Sequence, residues 1–361
     1  MSDRLTRLLE WLEERADPAH HEAVRSLAGQ AMAFEVAPRL PLRVMAPPPP
    51  EIDFRPYPYS EAFEDPEKML YNELGQHAAS ALIGDDRCWA IRANFGVGII
   101  PSAFGRPCRI LNDSMPWVEP AETPGAIRRI VEAETPADNA GLLGRCWSAY
   151  AHFLDRLEPY PRLAEVVRPY HPDFQGPFDA AHLIWGHNLY TAMRDDPALV
   201  HELLDRVTTL YVRAMRRYKK LVGEGCDLSP HWSMWHCGGV LLRCDTATCI
   251  SRRMYDAFIL PYDERLLAEF GGGMHYCGSG KQFFPSLIEA YGLTGINFGE
   301  PERQDLDLVL EATQPLGIGM IGLPAASMTP GRRDRWRTGI YLTTDAPDVD
   351  TGRRLMAGHT A

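Results

Sequence analysis

Residues 271–300 read GGGMHYCGSGKQFFPSLIEAYGLTGINFGE. Three glycines break the chain before Met274 to Cys277, a short apolar run that the pattern predicts as a strand. Phe283 to Tyr291 then reads as a helix stopped by Gly292, and Ile296 to Phe298 as the next strand. The rhythm continues with a helix over Leu306 to Ala312 and strands over Ile318 to Leu323 and Gly339 to Thr343. Strand starts at 274, 296, 318 and 339 recur about every 22 residues. Strands alternating with helices form parallel βα units. With about 285 residues to hold the repeat, a (β/α)8 TIM barrel is the predicted fold. A doubly wound open sheet is the alternative, but no GxGxxG opens a helix after a strand, which weakens its dinucleotide-binding version.

Upstream, Asn94 to Ile100 is Gly-rich, apolar and strand-like, and Ala180 to Trp185 is an apolar run before a polar turn. Asp196-Pro197 opens a long helix, with Asp as cap and Pro at the first helical position. Its stripe is Leu199, Leu203, Val207, Leu210 and Ala214, and it closes on Arg216, Arg217, Lys219, Lys220 and Gly223. At the N-terminus, Leu5, Leu8, Leu9 and Leu12 make an amphipathic helix. Four prolines, Pro47 to Pro50, then exclude helix and central sheet. Residues 1–75 therefore read as a helical, proline-rich extension, either a strap on the main domain or a lid or homodimer contact. Residues 76–361 read as the barrel.

Composition narrows the function classes. The 361 residues carry 37 Lys and Arg against 48 Asp and Glu, a net charge of −11. That balance excludes a general nucleic-acid binder. No apolar run reaches about 18 residues, so no membrane-spanning segment is expected. Met1-Ser2-Asp3-Arg4 lacks the apolar core of a signal peptide, and a cytoplasmic protein follows as the expectation. Eight cysteines are too few for a disulfide scaffold and read mostly as buried thiols.

In a barrel, chemistry sits at the C-terminal ends of strands. Polar residues following apolar runs are Asp173 and Gln175, His187, Asp245, His275 and Cys277, Asn297 and Glu300, and Asp345. The sharpest pair is His275-Tyr276-Cys277, because residues two apart on a strand face the same way. Imidazole plus thiolate is a zinc-selecting pair. A third ligand must come from a distant strand. No cysteine follows Cys277, so Asp345 or Glu300 could close the set. Without metal, the same His and Cys could line a substrate pocket or pack as core. Asp245 reads as a general acid/base or substrate anchor, or as a partner of Arg243 or a cap for the helix near Ser251. His236 and Cys237 are adjacent, face opposite sides of a strand, and read as core. Gly278 to Lys281 fails the phosphate-loop pattern.

The stretch 244–262, CDTATCISRRMYDAFILPY, resembles the uroporphyrinogen decarboxylase superfamily. So do FGGGMHYCG at 270–278, DFQGP at 173–177 and DDPALVHELLD at 195–205. The resemblance covers roughly residues 90–345 and implies a (β/α)8 barrel. One branch of that family decarboxylates uroporphyrinogen without a cofactor. Its Arg-rich N-terminal motif and its late His-Gly signature are absent here. The other branch comprises corrinoid-dependent methyltransferases that use zinc to activate a thiol. Their His-x-Cys ligand pair matches His275 and Cys277, and Asp345 lies near the position of their later Cys. The resemblance therefore implies a zinc-dependent methyltransferase-like enzyme acting on a small molecule. Zinc would be held by His275, Cys277 and Asp345, with a corrinoid methyl donor on a partner protein. Asp245 and Asp173 would be catalytic, and Gln175, Asn297 and Tyr276 would contact substrate. The alternatives are a metal-independent decarboxylase or lyase of a carboxylated small molecule or tetrapyrrole, and a barrel that holds a tetrapyrrole or corrinoid without turning it over.

Overall fold

Eight short parallel strands order the computed structural model, which describes residues 3–360. They are β1 (Leu42–Met45), β2 (Ala90–Ile91), β3 (Arg168–Pro169), β4 (Val240–Arg243), β5 (Gly272–Tyr276), β6 (Leu293–Phe298), β7 (Gly319–Pro324) and β8 (Ile340–Asp345). Six form one parallel sheet in the order β1-β8-β7-β6-β5-β4, and β2 pairs with β3. The first strand thus lies beside the last, with Leu42 opposite Leu342. This is an α/β fold of TIM-barrel-like order.

Side chains link the two sheets. The Asp86 carboxylate accepts from Leu42 N (2.7 Å) and that of Asp85 from Val44 N (2.7 Å), while Arg87 donates to Val44 O (2.9 Å). These bonds satisfy the free edge of β1 from the segment that leads into β2. Just past β3, His171 Nε2 accepts from Leu241 N on β4 (3.0 Å). Its Nδ1 lies 2.9 Å from Pro172 O and so carries the proton.

The predicted rhythm of the C-terminal half matches β5 to β8. The long helix spans Pro197–Val222, with Asp196 accepting from Leu199 N and Gly223 closing it at φ 68°. Helix α1 (Asp3–Arg15) buries Leu5, Leu8, Leu9 and Leu12 in the main core. Two local expectations differ, and one apolar run, Ala180 to Trp185, takes a form that the pattern left open. Asn94 to Ile100 is no strand: Gly96 turns at φ 66°, and a 3-10 turn over Gly96–Gly98 leads into a helix from Ile99. Ala180 to Trp185 lies in a helix, Pro177–Trp185, started by Pro177. Leu42–Met45, within the stretch read as an extension, is a sheet strand; the prolines begin two residues after it ends. No helix among the described residues is long and apolar enough to cross a membrane.

The interior holds a hairpin of the chain itself. Leu228–His231 and Met234–Cys237 pair antiparallel around a two-residue turn, Trp232-Ser233. Met234 and Trp235 pack with Cys88 and Ala90 of the β2 segment, Tyr170, Leu241 of β4, Ile321 of β7 and Tyr341 of β8. Helix α2 (Pro18–Met32) adds Val24, Ala28 and Met32 to this cluster. The alternate strand residues Val240, Leu242, Met274, Ile296 and Met320 face the helices instead. Glycines on the inner face leave room for this filling. A Cβ on Gly322 would lie 3.0 Å from Met234 Cε, and one on Gly295 would lie 2.8 Å from Ile321 Cδ1.

Candidate metal centre

The C-terminal ends of β4, β5 and β6 lie side by side at one mouth. Arg243 is in register with His275, and His275 with Asn297. Just past β4, a 3-10 turn (Asp245–Cys249) projects Asp245. Buried Asp179 holds that turn by accepting from Asp245 N (2.9 Å), Thr246 N (3.2 Å) and the Thr246 hydroxyl.

His275 is buried and oriented. Its Nδ1 lies 2.6 Å from Asn297 Oδ1, and Asn297 Nδ2 donates to Ile321 O. The amide is thereby turned with its oxygen toward the imidazole, so Nδ1 carries the proton and Nε2 presents its lone pair. Nε2 lies 3.6 Å from Cys277 Sγ and 3.5 Å from Asp245 Oδ1. Asp245 Oδ1 also accepts from Cys277 N at 2.8 Å. Among the described residues, Asp245, His275 and Cys277 form the one His/Cys/Asp/Glu group whose ligand atoms lie within 4.8 Å of one another.

The donor set fits zinc. Ordinary Zn–S, Zn–N and Zn–O bonds in a tetrahedron separate N from S by about 3.6 Å and N from O by about 3.4 Å. The two separations in the structure, 3.6 and 3.5 Å, agree. The electrostatics agree as well. Burial, then the negative charge of Asp245 and Glu300, pushes the Cys277 thiol up to about 11. Burial lowers His275, which stays neutral and able to ligate. A carboxylate beside a thiol that must ionise is a repulsive arrangement that a divalent cation relieves. Gly299 makes space for the thiol, since a Cβ there would lie 2.5 Å from Cys277 Sγ.

Asp173 is buried in a charge network. Its Oδ2 lies 2.7 Å from Arg243 Nη1 and 3.6 Å from Arg92 Nη1, and its Oδ1 accepts from Gln175 Nε2 at 2.5 Å. The amide of Gln175 is thus engaged, and its backbone sits at φ 65°. Arg243 pairs with Asp173, and the helix near Ser251 is capped by Ser251 itself. Tyr276 points to the helix side, against Phe283 and Phe298, on the face opposite His275. Asp345 ends β8 exposed, in register with Met45 and outside the three-residue group. Glu300 accepts from Gly278 N at 2.8 Å and pairs with Arg303. His187 lies in a helical turn preceding Asn188, away from any strand end. His236 is buried in the hairpin.

In the sequence, Trp232 carries no functional signal, and Asp245 reads as separate from His275. The signal that joins them is adjacency: β4 and β5 are neighbours, so residues just past their ends share a mouth. The indole of Trp232 stands edge-on to His275 at 5.0 Å between ring centroids.

No protein-family model matches the chain. No curated protein matches it either. Among solved structures the chain is similar to a methyltransferase from Methanosarcina mazei, with a TM-score of 0.63, covering 93% of this chain and 97% of that one at 15% sequence identity. That likeness is one of fold over nearly the whole of both chains.

Proposed function

We propose that this chain is a zinc-dependent, methyltransferase-like enzyme of the uroporphyrinogen decarboxylase superfamily, acting on a small molecule. Its eight strands close into one (β/α)8 barrel. The pairing of β1 with β8 and the Asp85, Asp86 and His171 bridges support closure. The observation that carries the function is the Asp245–His275–Cys277 group at the mouth of a fold shared with a methyltransferase.

Zinc would be held by His275 Nε2, Cys277 Sγ and the Asp245 carboxylate, with Asp245 in place of Asp345, the third ligand implied by the resemblance. Bound there, zinc supplies Lewis acidity that eases deprotonation of a substrate thiol or polarises a substrate oxygen. Asn297 keeps the proton on Nδ1 and the ring aimed into the mouth. Asp245, with 40% of its side chain exposed, takes up a proton from the incoming group. Arg243 and Arg92 pair with Asp173 beside the site. The methyl donor in this reading is a corrinoid carried by a separate protein.

Metal analysis by plasma mass spectrometry tests the reading. About one zinc per chain is expected in wild type and in Asp345→Ala, and none in Cys277→Ser or Asp245→Ala. A wild-type protein free of metal after reconstitution would overturn it. A metal-independent lyase acting on a carboxylate is the second reading, favoured by the Arg92 and Arg243 guanidiniums at the same mouth. Activity that survives strong chelation would select it.

A further inference from the structure

The interior hairpin ends in a turn whose two residues, Trp232 and Ser233, both have positive φ, 45° and 62°. Such two-residue turns favour Asn-Gly, because few side chains tolerate the left-handed region. Nothing local calls for tryptophan here. The tip is instead fixed from outside. Arg43 on β1 donates to Trp232 O at 2.5 Å, and Cys88 N donates to Ser233 O at 3.0 Å. These contacts pin the turn, and its indole meets His275 of the candidate metal centre.

There the indole touches two groups that are themselves neighbours. Its ring meets His275 edge-on, at 77° between planes, and the Arg243 guanidinium carbon lies 4.6 Å from its centroid. Arg243 and His275 are directly paired across β4 and β5, and Asp245 follows Arg243 by two residues. A guanidinium at this position has two carboxylates to choose from: Asp173, which it holds at 2.7 Å, and Asp245. Arginine binds carboxylates bidentately, so an Arg243 that turned to Asp245 would compete with any cation for those oxygens.

We infer that Trp232 is a positioning residue: its indole holds Arg243 on Asp173 and off Asp245, leaving the Asp245, His275 and Cys277 donors to a divalent cation. The inference rests on the metal reading proposed above. It also accounts for the strained turn, since a side chain that disfavours this backbone is kept where it walls off a charge.

The test is titration of the full-length, metal-free protein with zinc and with cobalt(II), the latter read by its thiolate charge-transfer band. Trp232→Asn keeps a residue that accepts the left-handed turn and removes the wall. Its affinity for both metals is expected to fall at least about tenfold, the usual cost of disturbing groups that orient a metal site. Adding Arg243→Met removes the competitor and is expected to restore affinity to within about threefold of wild type, an effect that mere damage to the hairpin would not allow. Arg243→Met alone is expected to bind as wild type. Unchanged affinity in Trp232→Asn, no recovery in the double variant, or a tenfold loss in Arg243→Met alone would each overturn the inference while leaving the metal reading intact. A wild-type protein that binds neither metal overturns both.

Discussion

His275 Nδ1 and Asn297 Oδ1 lie 2.6 Å apart across the paired strands β5 and β6, and this contact decides which imidazole nitrogen faces the mouth. Asn297→Leu removes the acceptor and frees both the tautomer and the ring. Zinc affinity is expected to fall about 10- to 100-fold. Asn297→Asp keeps an acceptor at the same place and should retain most of the affinity. Competition with a chromophoric chelator measures both, and equal affinity in Asn297→Leu would remove Asn297 from the site.

Gly299 offers a second, steric test. A methyl group there would stand 2.5 Å from Cys277 Sγ and 3.3 Å from His275 Cε1. The thiol must move while the fold need not, because Gly299 lies just past the end of β6. In Gly299→Ala the cobalt(II) thiolate band is expected to be lost or strongly weakened, with the thermal midpoint close to wild type. An unchanged band would mean that Gly299 does not confine the Cys277 thiol, and no band in wild type would mean that Cys277 is not a ligand.

The parts of this arrangement legible in the sequence are those with local periodicity. β5 to β8 are separated by similar intervals, and the helix Pro197–Val222 carries its own cap, stripe and stop. His275 and Cys277 are legible as a pair because strand residues two apart share a face. The first half of the fold hides its strands. β2 and β3 are two residues long, and β1 is bonded on one side by the side chains of Asp85 and Asp86. Such strands need no long alternating run, so pattern reading passes over them. The hairpin is concealed for a different reason. Both of its faces are buried, so it shows no alternation, and Trp232-Ser233 lacks the turn signal its backbone would favour. Asp245 was visible as a strand-end carboxylate, but its nearness to His275 depends on which strands are neighbours.

Metal binding should be steeply pH dependent, with a definite sign. The Cys277 thiol is pushed up to about 11 by burial and by its acidic neighbours, so it holds its proton at neutral pH. Burial lowers His275, which therefore has little proton to lose above pH 6.5. Binding then expels about one proton, and zinc affinity is expected to rise about tenfold per pH unit between pH 7 and 9. Calorimetric titration in buffers of different ionisation enthalpy counts the proton directly. A wild-type affinity flat over that range would exclude thiolate ligation.

Stability should weaken in acid because of histidines enclosed around and within the barrel. Burial lowers His77 and His171 to about 3 and His236 to about 4. The unfolded chain binds protons at these groups from about pH 6.5 downward, whereas the folded chain does not. Their contribution is thus fully present above pH 6.5 and is lost progressively as the pH falls toward 3–4. Asp179 opposes this trend: burial raises it to about 7, so its contribution is present in acid and lost as the pH rises through 7. Burial likewise raises Glu73, Asp85, Glu224 and Asp263, but it lowers eight histidines in all, with His21 at about 4 and His231 well below its ordinary range, so urea midpoints are expected to decline between pH 6.5 and 4. His171 makes the cause testable, since protonating its Nε2 would set a donor against the Leu241 N–H that it now accepts. His171→Phe should be less stable than wild type at pH 7 by about 1–3 kcal/mol, having lost that acceptor, yet decline less steeply in acid. Parallel pH curves for the two proteins would show that the acid sensitivity arises elsewhere.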